Sequence, residues 1–139
     1  MRLMKMLNTN ELEEKIRFGI SKVKDIEDIS DLKFQKNIEN GEDAIYIFSD
    51  LQGYHYVLME RGIEIVHKVT DDVFEICFWC FFELTRNAAF DYELENRDEK
   101  LNYRKVAFTK QLEYLSTIGE NYRKRGEIEI DEILKIYPY

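Results

Sequence analysis

Residues 54–62 read Tyr-His-Tyr-Val-Leu-Met-Glu-Arg-Gly, YHYVLMERG. The aromatic and aliphatic run has the composition of a pleated, half-buried strand, and its closing Gly is a turn signal. Three-residue hairpin loops use a type I turn followed by a left-handed residue, usually Gly. Glu60-Arg61-Gly62 suits that loop, with Gly62 in the left-handed position. The pairing then sets Met59 opposite Ile63, Val57 opposite Ile65 and His55 opposite His67. A two-residue loop, Arg61-Gly62, would place the two histidines on opposite faces. Arg is a poor first residue for a type I′ turn, so the three-residue loop is the expectation.

Working outward, strands are predicted at 44–49, 54–59 and 63–69, with Asp50-Leu51-Gln52-Gly53 turning the chain between the first two. Upstream, 10–26 reads as a helix. Asn10 with Glu13 makes a capping box, and Leu12, Ile16, Ile20 and Val23 form the apolar stripe. Residues 27–43 are polar; Leu32, Phe34 and Ile38 alternate loosely, and Asn40-Gly41 marks a turn. Downstream, Asp72 with Glu75 opens a long helix to about residue 97, apolar nearly all round over 73–84 and therefore central. A helix over 100–118 follows, with Leu101, Phe108, Leu112 and Leu115 inward and Gly119 as its stop. The last helix, 120–136, turns Ile130, Ile133, Leu134 and Tyr137 to the core. The expected fold is α+β: an N-terminal helix, an antiparallel three-stranded β-meander, then three helices with a long buried central one. At 139 residues, one domain over 1–139 is expected.

Aromatic residues make up 14% of the chain, which excludes a disordered acidic tail. The net charge of −8 is unevenly placed. Residues 41–100 hold 5 Lys/Arg against 14 Asp/Glu, while 1–40 hold 8 against 8 and 101–139 hold 7 against 6. Such a field repels nucleic acid and anionic lipid and attracts a basic partner. No secretory signal is visible, and no window approaches the ~18 apolar residues of a membrane span. The chain reads as cytoplasmic, with its two cysteines reduced.

Candidate chemistry is sparse. Cys77-Phe78-Trp79-Cys80 has redox spacing, but Cys77 lies inside a helix among aromatics, where burial raises a thiol's pKa; both cysteines read as small core residues. A zinc site from Cys77, Cys80, His55 and His67 lacks the paired-His spacing. No nucleophile motif or phosphate loop is present, and no cofactor is implied. At 100° per residue, Glu75, Arg86, Glu93 and Arg97 fall within about 40° of one another on the long helix. That stripe reads as a salt-bridged edge, or as a network completed by Arg61 or Arg104. Arg123-Lys124-Arg125 reads as a solvated helix face.

The order of features resembles the bacterial immunity-protein family numbered 63, of polymorphic toxin systems, over about 54–139. The resemblance rests on YHYVLMERG, then KVTDDVFEICFWCFFELTRNAAFDYELENR, NYRKVAFTKQLEYLSTI and EILKIYPY. It implies a non-enzymatic protein that neutralises a cognate toxin domain, such as a basic nuclease, by direct binding. Glu60, Arg61, Gly62, Glu75, Arg86, Glu93, Arg97 and Arg104 are then structural. Asp91, Glu95, Asp98 and Glu99, at the exit of the long helix, are the candidate contact patch. The second reading is a non-enzymatic adaptor or regulatory domain using the same acidic surface. A hydrolase built on Glu60, Glu93 and Arg97 ranks third.

Overall fold

The computed structural model describes residues 6–38 and 42–139; the turn expected at Asn40-Gly41 lies outside them. In chain order the elements are α1 (Thr9–Ile20), β1 (Leu32–Lys33), β2 (Ala44–Asp50), β3 (Gly53–Glu60), β4 (Ile63–Thr70), α2 (Val73–Glu95), α3 (Tyr103–Ile118) and α4 (Glu120–Ile136). They form two compact units. One holds residues up to Phe18 together with Asp28–Trp79; the other holds Gly19–Glu27 with Cys80–Tyr139.

The first unit is built on a sheet of order β1-β2-β3-β4. Among the described residues the sheet has four strands and is mixed, not the expected antiparallel three. β1 pairs parallel to β2, with Leu32 against Ile45. Two residues carry no periodicity, and a parallel partner is chosen by long-range contact, so this strand leaves no local signal. On one face of the sheet Ala44, Tyr46, Phe48, Val57 and Met59 pack together, with Ile38 against them. α1 starts one residue earlier than expected and ends sooner, and its capping box lies two residues before the expected Asn10 and Glu13. Asn8 and Glu11 form the reciprocal capping box, at 3.0 and 2.8 Å. Its stripe residues Leu12 and Ile16 are fully buried. Thr9 Oγ1 accepts from Ser49 N, and Tyr54 Oη accepts from Leu7 N, tying this end to β2 and β3.

The hairpin tip corrects the sequence reading. Glu60 pairs with Ile63, so the loop is the two residues Arg61-Gly62. Both have positive φ, 53° and 74°, as a type I′ turn requires. Gly62 is left-handed as expected; Arg61 is left-handed too. The reading failed because Arg is unfavourable there, and the hairpin accepts that strain. Beyond the tip Met59 pairs with Glu64 but Leu58 with Val66, so Ile65 is an extra, bulged residue. Val57 pairs with His67, and His55 with Val69. The short loop alone would have put the histidines on opposite faces. The bulge adds one residue and returns His67 to the face of His55.

In the second unit the apolar periodicity was sufficient to place α3 and α4. Asn102 caps α3, accepting from Arg104 N and Lys105 N, and Gly119 ends it. Ala107, Phe108, Leu115, Ile118 and Ile130 are buried. Gln111 is also buried and donates to Phe82 O at 2.9 Å, while Thr85 Oγ1 donates to Phe81 O. Tyr114 donates to Asp25 Oδ2 at 2.7 Å; burial, reinforced by that carboxylate, pushes its phenol well above the usual range. Two expected core residues are exposed, Leu101 at 57% and Tyr137 at 67%. Each lies outside its helix, Leu101 before the Asn102 cap and Tyr137 after α4, where helical spacing no longer sets direction.

Candidate interaction surface

α2 is 23 residues long, and its apolar first half is deeply buried, Cys77 and Cys80 included. Both thiols are free. Asp72 Oδ1 accepts from Phe74 N at 2.9 Å and opens the helix. Glu75 stands in the first turn, where the helix dipole favours an acid. The last turn carries no basic residue.

The other end of α2 is different. Asp91, Glu95, Asp98 and Glu99 are all exposed, on and just beyond its last turns. None of the four forms an ion pair among the described residues. Asp98 Oδ1 accepts a local bond, from Lys100 N at 3.0 Å. Carboxylates beside a helix C-terminus oppose the macrodipole, at roughly 0.3–1 kcal/mol each, so helix stability does not explain them. Leu94, 62% exposed, and Leu101 lie among these acids. Beside them a shallow groove of about 310 Å³ is lined by Tyr92, Leu101, Val106, Lys105 and Lys110. Apolar side chains ringed by charge are the usual composition of a protein-binding patch.

The polar stripe resolves into separate contacts. Arg97 donates twice to Glu93, at 3.0 and 2.7 Å, from half-exposed to buried. The guanidinium's hydrogen bonds hold the Glu93 carboxyl below its ordinary value, and the carboxylate raises Arg97. Arg97 also lies over the Tyr103 ring. Arg86 turns to Glu83, at 2.8 Å. Arg104 reaches the C-terminal segment, donating to Tyr137 O and Pro138 O and lying over Phe108 and Tyr139. Glu60 closes β3, exposed, beside Arg61 and Gly62 at the tip. The Arg61 backbone N–H donates to Asp43 Oδ1 at 2.7 Å.

His55 and His67 meet, though not directly across the ladder. His55 Nδ1 lies 2.9 Å from His67 Nε2. Asp50 and Glu64 complete this group, at 2.8 Å from His55 Nε2 and 3.0 Å from His67 Nδ1. Neither acid stood out in the sequence; Glu64 reaches His67 only because of the bulge. Among the described residues no cluster of three or more His, Cys, Asp or Glu is arranged to hold a metal ion, and no helix is long and apolar enough to cross a membrane.

The long helix thus ends among exposed acids and the exposed side chains of Leu94 and Leu101. The family model described as Immunity protein 63 matches residues 49–132, more than half of the chain, and the chain belongs to that family. The match begins slightly before the stretch from which the resemblance was read and stops short of the C-terminus. No curated protein and no solved structure matches the chain. Families of immunity proteins are in general non-enzymatic.

Proposed function

We propose that this protein neutralises a cognate bacterial toxin domain by binding it directly, and that it does so through Asp91, Glu95, Asp98 and Glu99 set around Leu94 and Leu101. Membership of the immunity family supports the task. The observation that carries the choice of surface is the unpaired, exposed acid cluster at the wrong end of a helix dipole. A basic toxin face, such as a nuclease presents to phosphate, is its complement. Binding there occludes the surface the toxin needs for nucleic acid. No catalytic step is assigned to the chain.

The test is co-expression with a toxin domain encoded beside the gene for this chain, followed by co-purification. Wild type should restore growth and elute as a stable complex. Asp91→Lys with Glu95→Lys should weaken both effects while leaving the melting profile unchanged. If wild type neither rescues nor binds that toxin, the adaptor reading replaces this one. If the reversed variant still rescues and binds fully, the interface lies on another face.

A further inference from the structure

We propose that His55 and His67 share one proton more than two neutral imidazoles hold, and that this shared proton pins the edge strand β4 to the sheet. Three contacts run in a row: Asp50 Oδ1 to His55 Nε2, His55 Nδ1 to His67 Nε2, and His67 Nδ1 to Glu64 Oε1, at 2.8, 2.9 and 3.0 Å. Each needs one hydrogen. An ionised carboxylate supplies none, and each neutral ring supplies one. Two neutral rings therefore leave one contact as two lone pairs held at hydrogen-bond distance. A third ring proton satisfies all three.

The surroundings favour that proton. His55 is 3% exposed and stacks flat on Phe48, with centroids 4.4 Å apart and planes within 10°, a geometry that suits a cationic ring. Asp50 and Glu64 flank the pair at its two ends. The opposing charge is Lys36, whose Nζ lies 3.3 Å from Asp50 Oδ2 and 5.9 Å from the Phe48 centroid. Two carboxylates against one ammonium leave a negative surplus for the pair to balance. Asp50 stays ionised well into acid, since its bond from His55 holds it at about 2. Burial of His55 works the other way, but the charge is shared with His67, which is 37% exposed.

The consequence falls on β4. It is the outer strand of the sheet, and six of its eight residues are exposed and the other two only half-buried, so little apolar burial holds it. The His55–His67 contact fixes its middle to a buried residue of β3. Losing the third proton at higher pH breaks one link of the chain. Gaining a fourth at low pH sets two donors against each other and breaks the central one. The pinned state thus occupies a band of pH.

Long-range proton–nitrogen NMR of the full chain at pH 7.5 reads the count directly. At that pH two independent imidazoles would hold only slightly more than two ring protons. The expected result is three protonated ring nitrogens of four, with the rings titrating as a unit. Glu64→Gln keeps an acceptor but removes a charge, and should move loss of the third proton to lower pH. Hydrogen exchange of β4 amides should then accelerate, relative to β2, at the pH where that proton leaves. Two protonated nitrogens at pH 7.5, or a His55 titration unchanged by His67→Ala, would overturn the proposal.

Discussion

At the residue scale, Arg61 and Gly62 show how a turn can be strained and still specific. Both lie in the left-handed region, which L-residues other than Asn and Asp seldom adopt. Nothing stands within 4 Å of where a Gly62 side chain would begin, so the only obstacle to substitution is the backbone. Gly62→Val should therefore cost about 1–2 kcal/mol. Arg61→Asn should recover up to about 1 kcal/mol, because Asn-Gly is the favoured type I′ pair. Denaturant midpoints of the two variants check both signs. Asp50 supplies a pH signature at the same scale. Its folded value of about 2 lies below the ordinary 3.8, chiefly through the hydrogen bond from His55. Its contribution to stability is whole above 3.8 and is lost as pH falls toward about 2. Asp50→Asn should flatten the acid limb of a stability–pH curve in that interval; equal slopes for both proteins would remove Asp50 from the account.

At the element scale, long periodic segments were legible and short or strained ones were not. α2, α3 and α4 follow from apolar spacing, capping residues and Gly119. β1 is two residues long and has no pattern to read. The tip of the hairpin was misassigned because the rule against Arg at positive φ is a preference, which tertiary pairing overrode. The bulge at Ile65 was invisible for the same reason, and with it the Asp50 and Glu64 ends of the histidine chain. The acids beyond α2 were legible as charge, but Leu94 in their midst was not singled out. Helix contact also turns on one small residue. A Cβ on Gly126 of α4 would sit 2.5 Å from Leu115 Cδ1 on α3, and Leu115 is fully buried. Helix propensity alone favours Gly126→Ala by about 1 kcal/mol, but overpacking costs about 1–3. The variant should be destabilised on balance, and Leu115→Val in the same chain should recover part of the loss. Thermal melts of the single and double variants decide it.

At the scale of the whole molecule, the proposed binding mode gives the charge excess between 41 and 100 a role before contact and the leucines a role after it. Reversing Asp91 and Glu95 to Lys should slow association with the toxin by about tenfold or more at low salt, with a much smaller change in dissociation. Added salt should slow the wild type in the same way, since screening shortens to ~3 Å at 1 M. Leu94→Ala should do the reverse, speeding dissociation and sparing association. Stopped-flow association and surface dissociation rates, taken over several salt concentrations, separate the two roles. An association rate indifferent to charge and salt would place the contact on an apolar face elsewhere.

The bulge at Ile65 leaves the β3–β4 hairpin with a second seating. Facing repeats every two residues, so sliding β4 by two keeps residues 66–69 on their present sides. In that slipped register Glu60-Arg61-Gly62 would be the loop, the bulge would vanish and His55 would stand directly opposite His67. Arg61 would be relieved of its left-handed backbone. What the slip would reverse is Ile63 and Glu64, which change sides, and Glu64 would be carried away from the His67 ring it now accepts from. The two registers therefore differ in the turn, in the bulge and in the sides taken by Ile63 and Glu64, and the contact of Glu64 with His67 belongs to the present one.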